Sequence, residues 1–258
     1  MWGQIPYLSA LCRFGDFIPL SMPKYLLVFD KGESVRWLSH LDILRTFERA
    51  IRRAGLPIAF SAGFNPREKL SFVSALGTGI TGSAELASME LTETCEAETI
   101  CTNLNDVLPS GIRIRFSREL SEEEAKGFAK GMDRAEFLAT CVSPIPLSSE
   151  TVESAIASLL AQEETIIERE RDGRTRKVDI RPLIHTLIHI AQSDTNNRFS
   201  LLMTLGQGEG AVARPSEVVA LLTAFLEGVA LRRVHRIRIL DREGQPWLYE
   251  APTLVTTP

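Results

Sequence analysis

Four cysteines, Cys12, Cys95, Cys101 and Cys141, are spread over 258 residues, and no two are spaced C-x-x-C. A disulfide framework is therefore excluded as the source of stability, and no Cys/His set has zinc spacing. Reduced thiols and a cytoplasmic location are the expectation. No run of about 18 apolar residues exists to span a bilayer. Residues 1–21 lack a basic n-region and are broken by Pro6, Gly15, Asp16 and Pro19, which makes a poor signal peptide. They read as an extension outside the fold, because Met22 opens a cleaner start into a strand. There is no P-loop Lys-Ser/Thr after a glycine turn, and no C-x-x-x-C-x-x-C motif for an iron–sulfur cluster.

What is present is an ordinary globular composition, with 44% hydrophobic and 24% charged residues. The net charge of -4 argues against indiscriminate coating of nucleic acid. Residues 30–72 depart from that balance, with eight Lys/Arg against five Asp/Glu.

The apolar pattern predicts strand, helix, strand, strand, helix, strand over residues 22–120. Residues 24–29 and 112–116 read as strands, and the arginines Arg113 and Arg115 fall on the open face of the second. Ser39 is placed to cap a helix, with Asp42 at the capping-box position and Leu41, Leu44, Phe47 and Ile51 as its buried stripe. Gly55 and Pro57 end it. Residues 58–61 form a brief strand before a loop over 63–69. Residues 121–134 carry charge and two glycines and read as a linker.

The same order recurs over 135–245, followed by a tail at 246–258. Residues 164–170 and 174–180 flank Arg171-Asp172-Gly173 as a hairpin. Residues 188–197 add an extra strand or turn. The fold expected is α+β, two ferredoxin-like β-α-β-β-α-β sandwiches in tandem.

Several residues invite a functional reading. His40 enters the first helical turn, where the helix dipole disfavours imidazolium. It suits either a general base or a polar side chain fixing the helix entrance. Arg45, Arg49 and Arg52 recur at i, i+4 and i+7, flanked by Arg53, as an ion-paired face or a grip on phosphates. Phe64, in Gly63-Phe64-Asn65-Pro66, reads as a core plug or as a stacking platform for an unpaired base, with Arg67 and Lys69 beside it. The Gly206–Gly210 turn could cradle a phosphate with its backbone N–H groups, but without a P-loop Lys-Ser/Thr and with Glu209 repelling anions it reads as a flexible connection. His185 and His189 lack a partner that would make them metal ligands.

At Arg36-Trp37-Leu38-Ser39-His40-Leu41-Asp42, Glu48-Arg49-Ala50, Arg53-Ala54-Gly55-Leu56-Pro57, and Gly63-Phe64-Asn65-Pro66 followed by Lys69-Leu70-Ser71-Phe72, the chain resembles a bacterial family of radical SAM-linked domains. Weaker matches are Val178-Asp179-Ile180-Arg181-Pro182 and Arg214-Pro215. It departs from that family at Arg67-Glu68, where His-Pro is usual, and at Ala75-Leu76-Gly77-Thr78-Gly79, where Pro-Leu-Pro-x-Gly is usual.

The resemblance implies a module encoded beside, or fused behind, a cobalamin-type radical SAM protein. Iron–sulfur cluster, S-adenosylmethionine and cobalamin would then belong to that partner, and this chain would carry no cofactor or metal. The leading expectation is a non-catalytic accessory module that presents RNA or a nucleotide. Arg36, Arg45, Arg49, Arg52 and Arg53 would hold phosphates, with Phe64, Asn65, Arg67 and Lys69 contacting the nucleotide. His40, Asp42, Asn65 and Lys69 are expected to share one basic concavity. The alternatives are a metal-independent endoribonuclease with His40 as general base, and a purely protein-binding adaptor.

Overall fold

Tyr25–Phe29 is apolar at every position, and a strand of that kind must be covered on both faces. The computed structural model describes residues 22–171, 173–190, 197–208 and 211–246. In it β1 (Lys24–Lys31) turns Tyr25, Leu27 and Phe29 towards two helices, and Leu26 and Val28 towards a second, smaller cluster beneath the sheet. The expected extension at 1–21 and most of the expected tail lie outside the described residues, as do Cys12, Asp172, residues 191–196, Glu209 and Gly210.

The first half continues with α1 (His40–Arg53), β2 (Leu70–Phe72), β3 (Ile80–Glu90), α2 (Ala97–Val107), β4 (Ile112–Glu119) and α3 (Glu122–Gly127). β1 lies between β3 and β4, antiparallel to both, and β2 pairs with β3 at Ala87–Met89. In α1 the buried residues are Ile43, Phe47, Ala50 and Ile51, whereas Leu41 is 58% exposed. Each residue advances about 100° around a helix, so Leu41 falls on the side away from Ile43. The expected stripe was therefore wrong at Leu41, and Leu44 is only half-buried.

Residues 58–61 form isolated bridges, Ile58 with Leu91 and Phe60 with Glu68, rather than a strand. The stretch expected as a linker also does more than connect. Ser121 caps α3, and Leu120, Ala125, Phe128 and Met132 pack under β1.

The second half comprises β5 (Arg134–Val142), α4 (Ser149–Leu160), β6 (Ile166–Arg171), β7 (Arg174–Asp179), β8 (Ile184–Ile190), β9 (Arg198–Gly208), β10 (Ala211–Val212), α5 (Pro215–Leu222) and β11 (Ala230–Leu240). β5 sits between β9 and β11, with β8 on the far side of β9, all antiparallel. The expected hairpin forms, but as a separate β6–β7 ribbon outside the main sheet. β8 takes the place beside β9 that the hairpin was expected to supply.

The outcome is a mixed α+β fold on one large, mostly antiparallel sheet. Its two halves meet where β11 runs parallel to β3, through Val234–Ile80, His235–Thr81 and Arg236–Gly82. That seam holds polar side chains. Arg236 (1% exposed) donates through Nε to Glu85 (3% exposed) at 2.8 Å, with a second contact from Nη2 to Oε2. His235 lies between Thr81 and Ser83, at 2.9 and 3.0 Å.

A Cβ on Gly82 would stand 2.4 Å from Glu85 Oε1, so Gly82→Ala forces the ion pair to shift. Removing one partner of a buried pair strands the other charge. We expect Glu85→Ala to cost about 3–5 kcal/mol in urea unfolding. The Glu85→Leu/Arg236→Met double variant should recover most of that loss, and a double variant as unstable as the single would contradict the account.

Candidate anion-binding cleft

β11 reads A-L-R-R-V-H-R-I-R-I-L, an unusual density of arginine for a strand inside a sheet. Opposite β5 its register slips between Leu231 and Arg233 and again between Arg236 and Arg238. Such bulges place two residues against one and re-aim their side chains. Here they bring Arg232, Arg233 and Arg236 to one cleft of about 500 Å3 between the two halves.

The floor is apolar, from Ile80, Phe137, Leu231 and Val234, and one wall is the start of α5 with Arg214, Pro215 and Ser216. The other wall is the loop 75–79, which buried cations hold at its middle and just before its start. Lys31 (1% exposed) donates to the carbonyls of Leu38 at 2.9 Å and Gly77 at 3.3 Å. Arg236 donates to Ser74 Oγ at 2.7 Å. Gly79, at φ +82°, lies under Trp37, where an added Cβ would meet the indole at 3.1 Å. Its N–H donates to the Arg36 carbonyl at 2.8 Å. The Arg36-Trp37 motif thus packs behind the cleft's loop.

Four arginines line the cleft, and no carboxylate is among its lining residues. Of the four, Arg236 is already held by the buried Glu85 beneath the cleft, and two further acids stand at its edges. Glu33 pairs with Arg36 and lies 3.5 Å from Arg233, while Glu217 lies 3.7 Å from Arg214 and accepts from the Arg214 N–H. Glu217 therefore offsets part of the positive end of α5. Arg232 is exposed and has no ion pair among the described residues. A desolvated floor beneath several guanidinium groups favours an anion with an apolar or planar body.

The residues singled out in the sequence are distributed differently. Ser39 and Asp42 form the capping box, with Ser39 Oγ donating to Asp42 at 2.6 Å. That bond holds the Asp42 carboxyl below its ordinary pKa, and Asp42 serves as a cap rather than a partner for His40. The His40 ring meets Phe72 edge-on at 5.4 Å and shares a small void with Lys31, Ser74 and Glu85.

Arg49, Arg52 and Arg53 line a separate open depression with Thr46, Val107 and Pro109. Arg52 is paired with Glu68 at 2.6 Å, Arg53 donates to the Val107 carbonyl, and Lys69 is paired with Glu90 at 2.6 Å. Arg45 is exposed beside Asp42. Phe64 is wholly exposed at the tip of its loop, with Asn65 and Arg67 exposed beside it.

The expected common concavity is not formed. Glu68, at the base of the Phe64 loop, contacts α1 at Arg52, about 18 Å of helical rise from His40. Of the predicted site residues, Arg36 joins the cleft's surroundings through Glu33, and His40 lies behind its loop, in a void shared with Leu76. The reading missed Arg232, Arg233 and Arg236, although four arginines in seven residues were there to count. Among the described residues no His/Cys/Asp/Glu group is arranged for a metal.

The DUF2344 family model, described as an uncharacterized protein conserved in bacteria, matches residues 24–215, and the chain belongs to that family. The description names no activity and no partner. No curated protein matches the chain. Among solved structures, a Cbf5-Nop10-Gar1 complex matches with a TM-score of 0.49 and 9% identity, covering 83% of this chain and 48% of that one. An H/ACA RNP bound to a substrate RNA containing 2'-deoxyuridine matches at 0.47 and 10%, with 83% and 47% covered. An archaeal box H/ACA sRNP Nop10-Cbf5 complex matches at 0.46 and 10%, again with 83% and 47%. This chain spans about half the length of those chains. Likenesses this distant carry neither fold nor function to it.

Burial holds His235 and His40 below the ordinary value of 6.5, with Arg236 adding to the effect at His40, and burial does the same at His185. The folded chain therefore binds fewer protons than the unfolded chain near that pH. This contribution to stability is complete above about pH 6.5 and is lost as pH falls through it. The urea midpoint should drop between about pH 7.5 and 5.5, and His235→Gln should flatten the decline. An unchanged slope in that variant would remove His235 from the account.

Proposed function

We propose that the chain is a non-catalytic accessory module that holds RNA or a nucleotide by its phosphates in the cleft between its halves and presents it to a separate radical SAM protein. The observation that carries the binding half is the cleft itself, with Arg214, Arg232 and Arg233 on its surface, Arg236 held by Glu85 beneath them, no lining carboxylate and an apolar floor. Its volume falls in the range of small-ligand sites, about 300–1,000 Å3, and suits one or two nucleotides rather than a duplex. The partner half rests on the resemblance at Ser39-His40-Leu41-Asp42 and Gly63-Phe64-Asn65-Pro66. Iron–sulfur cluster, S-adenosylmethionine and cobalamin belong to the partner in this proposal, and the pair works in the cytoplasm.

The architectural part of the proposal is two ferredoxin-like units, at 22–120 and 135–245, joined edge to edge. Two features support it. In each half the first strand lies between the third and the fourth, and the second strand lies beyond the third. Each half also places two helices between those strands in the matching order.

Fluorescence anisotropy with labelled total tRNA tests the binding half. Affinity should fall steeply with salt, because each phosphate neutralised releases counterions. Arg232→Ala/Arg233→Ala should weaken binding at least about tenfold and flatten the log–log salt slope by about 2. Its thermal midpoint should hardly move, since both side chains are exposed. Binding that is absent at low ionic strength, or indifferent to both arginines, would refute the reading.

A further inference from the structure

The β6–β7 ribbon stands apart from the main sheet, and its charges are sorted by face. Side chains alternate along a strand, and directly paired residues share a face. Ile167 pairs with Val178, and both pack against the core of the second half. The same face therefore carries Arg169 opposite Arg176, with Arg174 two residues further out. The other face carries Glu168 opposite Lys177, an ordinary rung of opposite charges.

Like charges directly opposed on a sheet are destabilising. Arg169 is relieved by Glu217, at 2.7 and 2.8 Å. Arg174 and Arg176 are exposed and have no carboxylate partner among the described residues. One ribbon thus uses complementary charges where it faces away and repeats arginine where it faces the body.

That arginine face abuts the cleft. Arg169 donates to the carbonyl of Val212, which lines the cleft, and its partner Glu217 also approaches Arg214 on the cleft wall. Beyond that anchor, Arg174 extends the positive surface by about 7 Å along the strand.

We infer that the ribbon continues the cleft's anion surface, and that the ligand is a single-stranded polynucleotide bound across several consecutive phosphates. This rests on the proposed RNA or nucleotide reading and narrows it. One nucleotide fills the cleft over the apolar floor, and the strand runs out beneath Arg176 and Arg174. A single nucleotide would leave Arg174 and Arg176 without a counter-charge, whereas a strand reaches both.

The test uses the full chain and three probes: a labelled single-stranded RNA of about 12 nucleotides, a labelled adenosine monophosphate, and poly-glutamate of matched charge as competitor. Arg174→Ala/Arg176→Ala should weaken the RNA about five- to tenfold and make its log–log salt slope shallower by about 1.4, which corresponds to two phosphate contacts on a single strand. Its affinity for the monophosphate should be unchanged. Arg174→Lys/Arg176→Lys should retain the slope, which separates charge from folding. Arg232→Ala/Arg233→Ala should weaken both nucleotide probes.

An unchanged RNA slope in the alanine ribbon variant, with the cleft variant still impaired, overturns the ribbon inference and leaves the cleft reading standing. Wild-type protein that binds neither nucleotide probe overturns both. Poly-glutamate that displaces RNA as well as RNA itself does overturns the polynucleotide as occupant.

Discussion

The contact between Arg236 and Glu85 joins two halves beside a short parallel seam, with Ile239 packed on Leu26, Val28 and Leu86. Each member would be a costly buried charge alone, and each comes from a different half. Glu85 is on β3 and Arg236 is on β11, so this ion pair forms only across the two halves. Gly82 leaves the room that Glu85 occupies, and Lys31 carries a second buried charge nearby, relieved by the carbonyls of Leu38 and Gly77. Burial lowers the Lys31 pKa, and Glu85 opposes that shift. The loop 75–79 therefore depends on Lys31 and Arg36 of its own half and, through Ser74, on Arg236 of the other.

That dependence gives the cleft its character. Its walls come from residues 75–80 and from the start of α5, and its floor comes mainly from the seam. The cations are held on a strand with bulges rather than on long loops, so their spacing is fixed by the sheet. Acidic groups stand at the edges, beside Arg233 and Arg214, and beneath the seam, where Glu85 holds Arg236.

Much of the architecture was legible. The Ser39–Asp42 box marked where α1 begins, and the alternation in residues 112–116 marked β4 with its exposed arginines. Arg171-Asp172-Gly173 marked a hairpin. What local pattern could not give was where that hairpin docks, since pairing partners are set by tertiary packing. The extra strand or turn expected at 188–197 forms earlier, as β8, whose alternation is weak and whose burial comes from α4 and β9. The motifs lie in the first half, whereas the arginine-lined cleft draws three of its four arginines from β11. The arginines of α1 and the loop look free in sequence, yet Arg52, Arg53 and Lys69 are engaged by Glu68, the Val107 carbonyl and Glu90. Those of β11 read as one more closing strand, and only the fold sets them across from Arg214.

The seam also orders events during synthesis. Thr81 and Val234 are separated by 153 positions in the chain, yet they touch. At about 5–20 residues per second, β3 leaves the ribosome roughly 8–30 s before its partner strand is made. Throughout that interval Glu85 has no guanidinium beside it, and the Ile80–Gly82 edge offers unpaired backbone to any other strand. A nascent chain of this protein is thus most exposed to misassociation at the place where the finished molecule is most tightly knit.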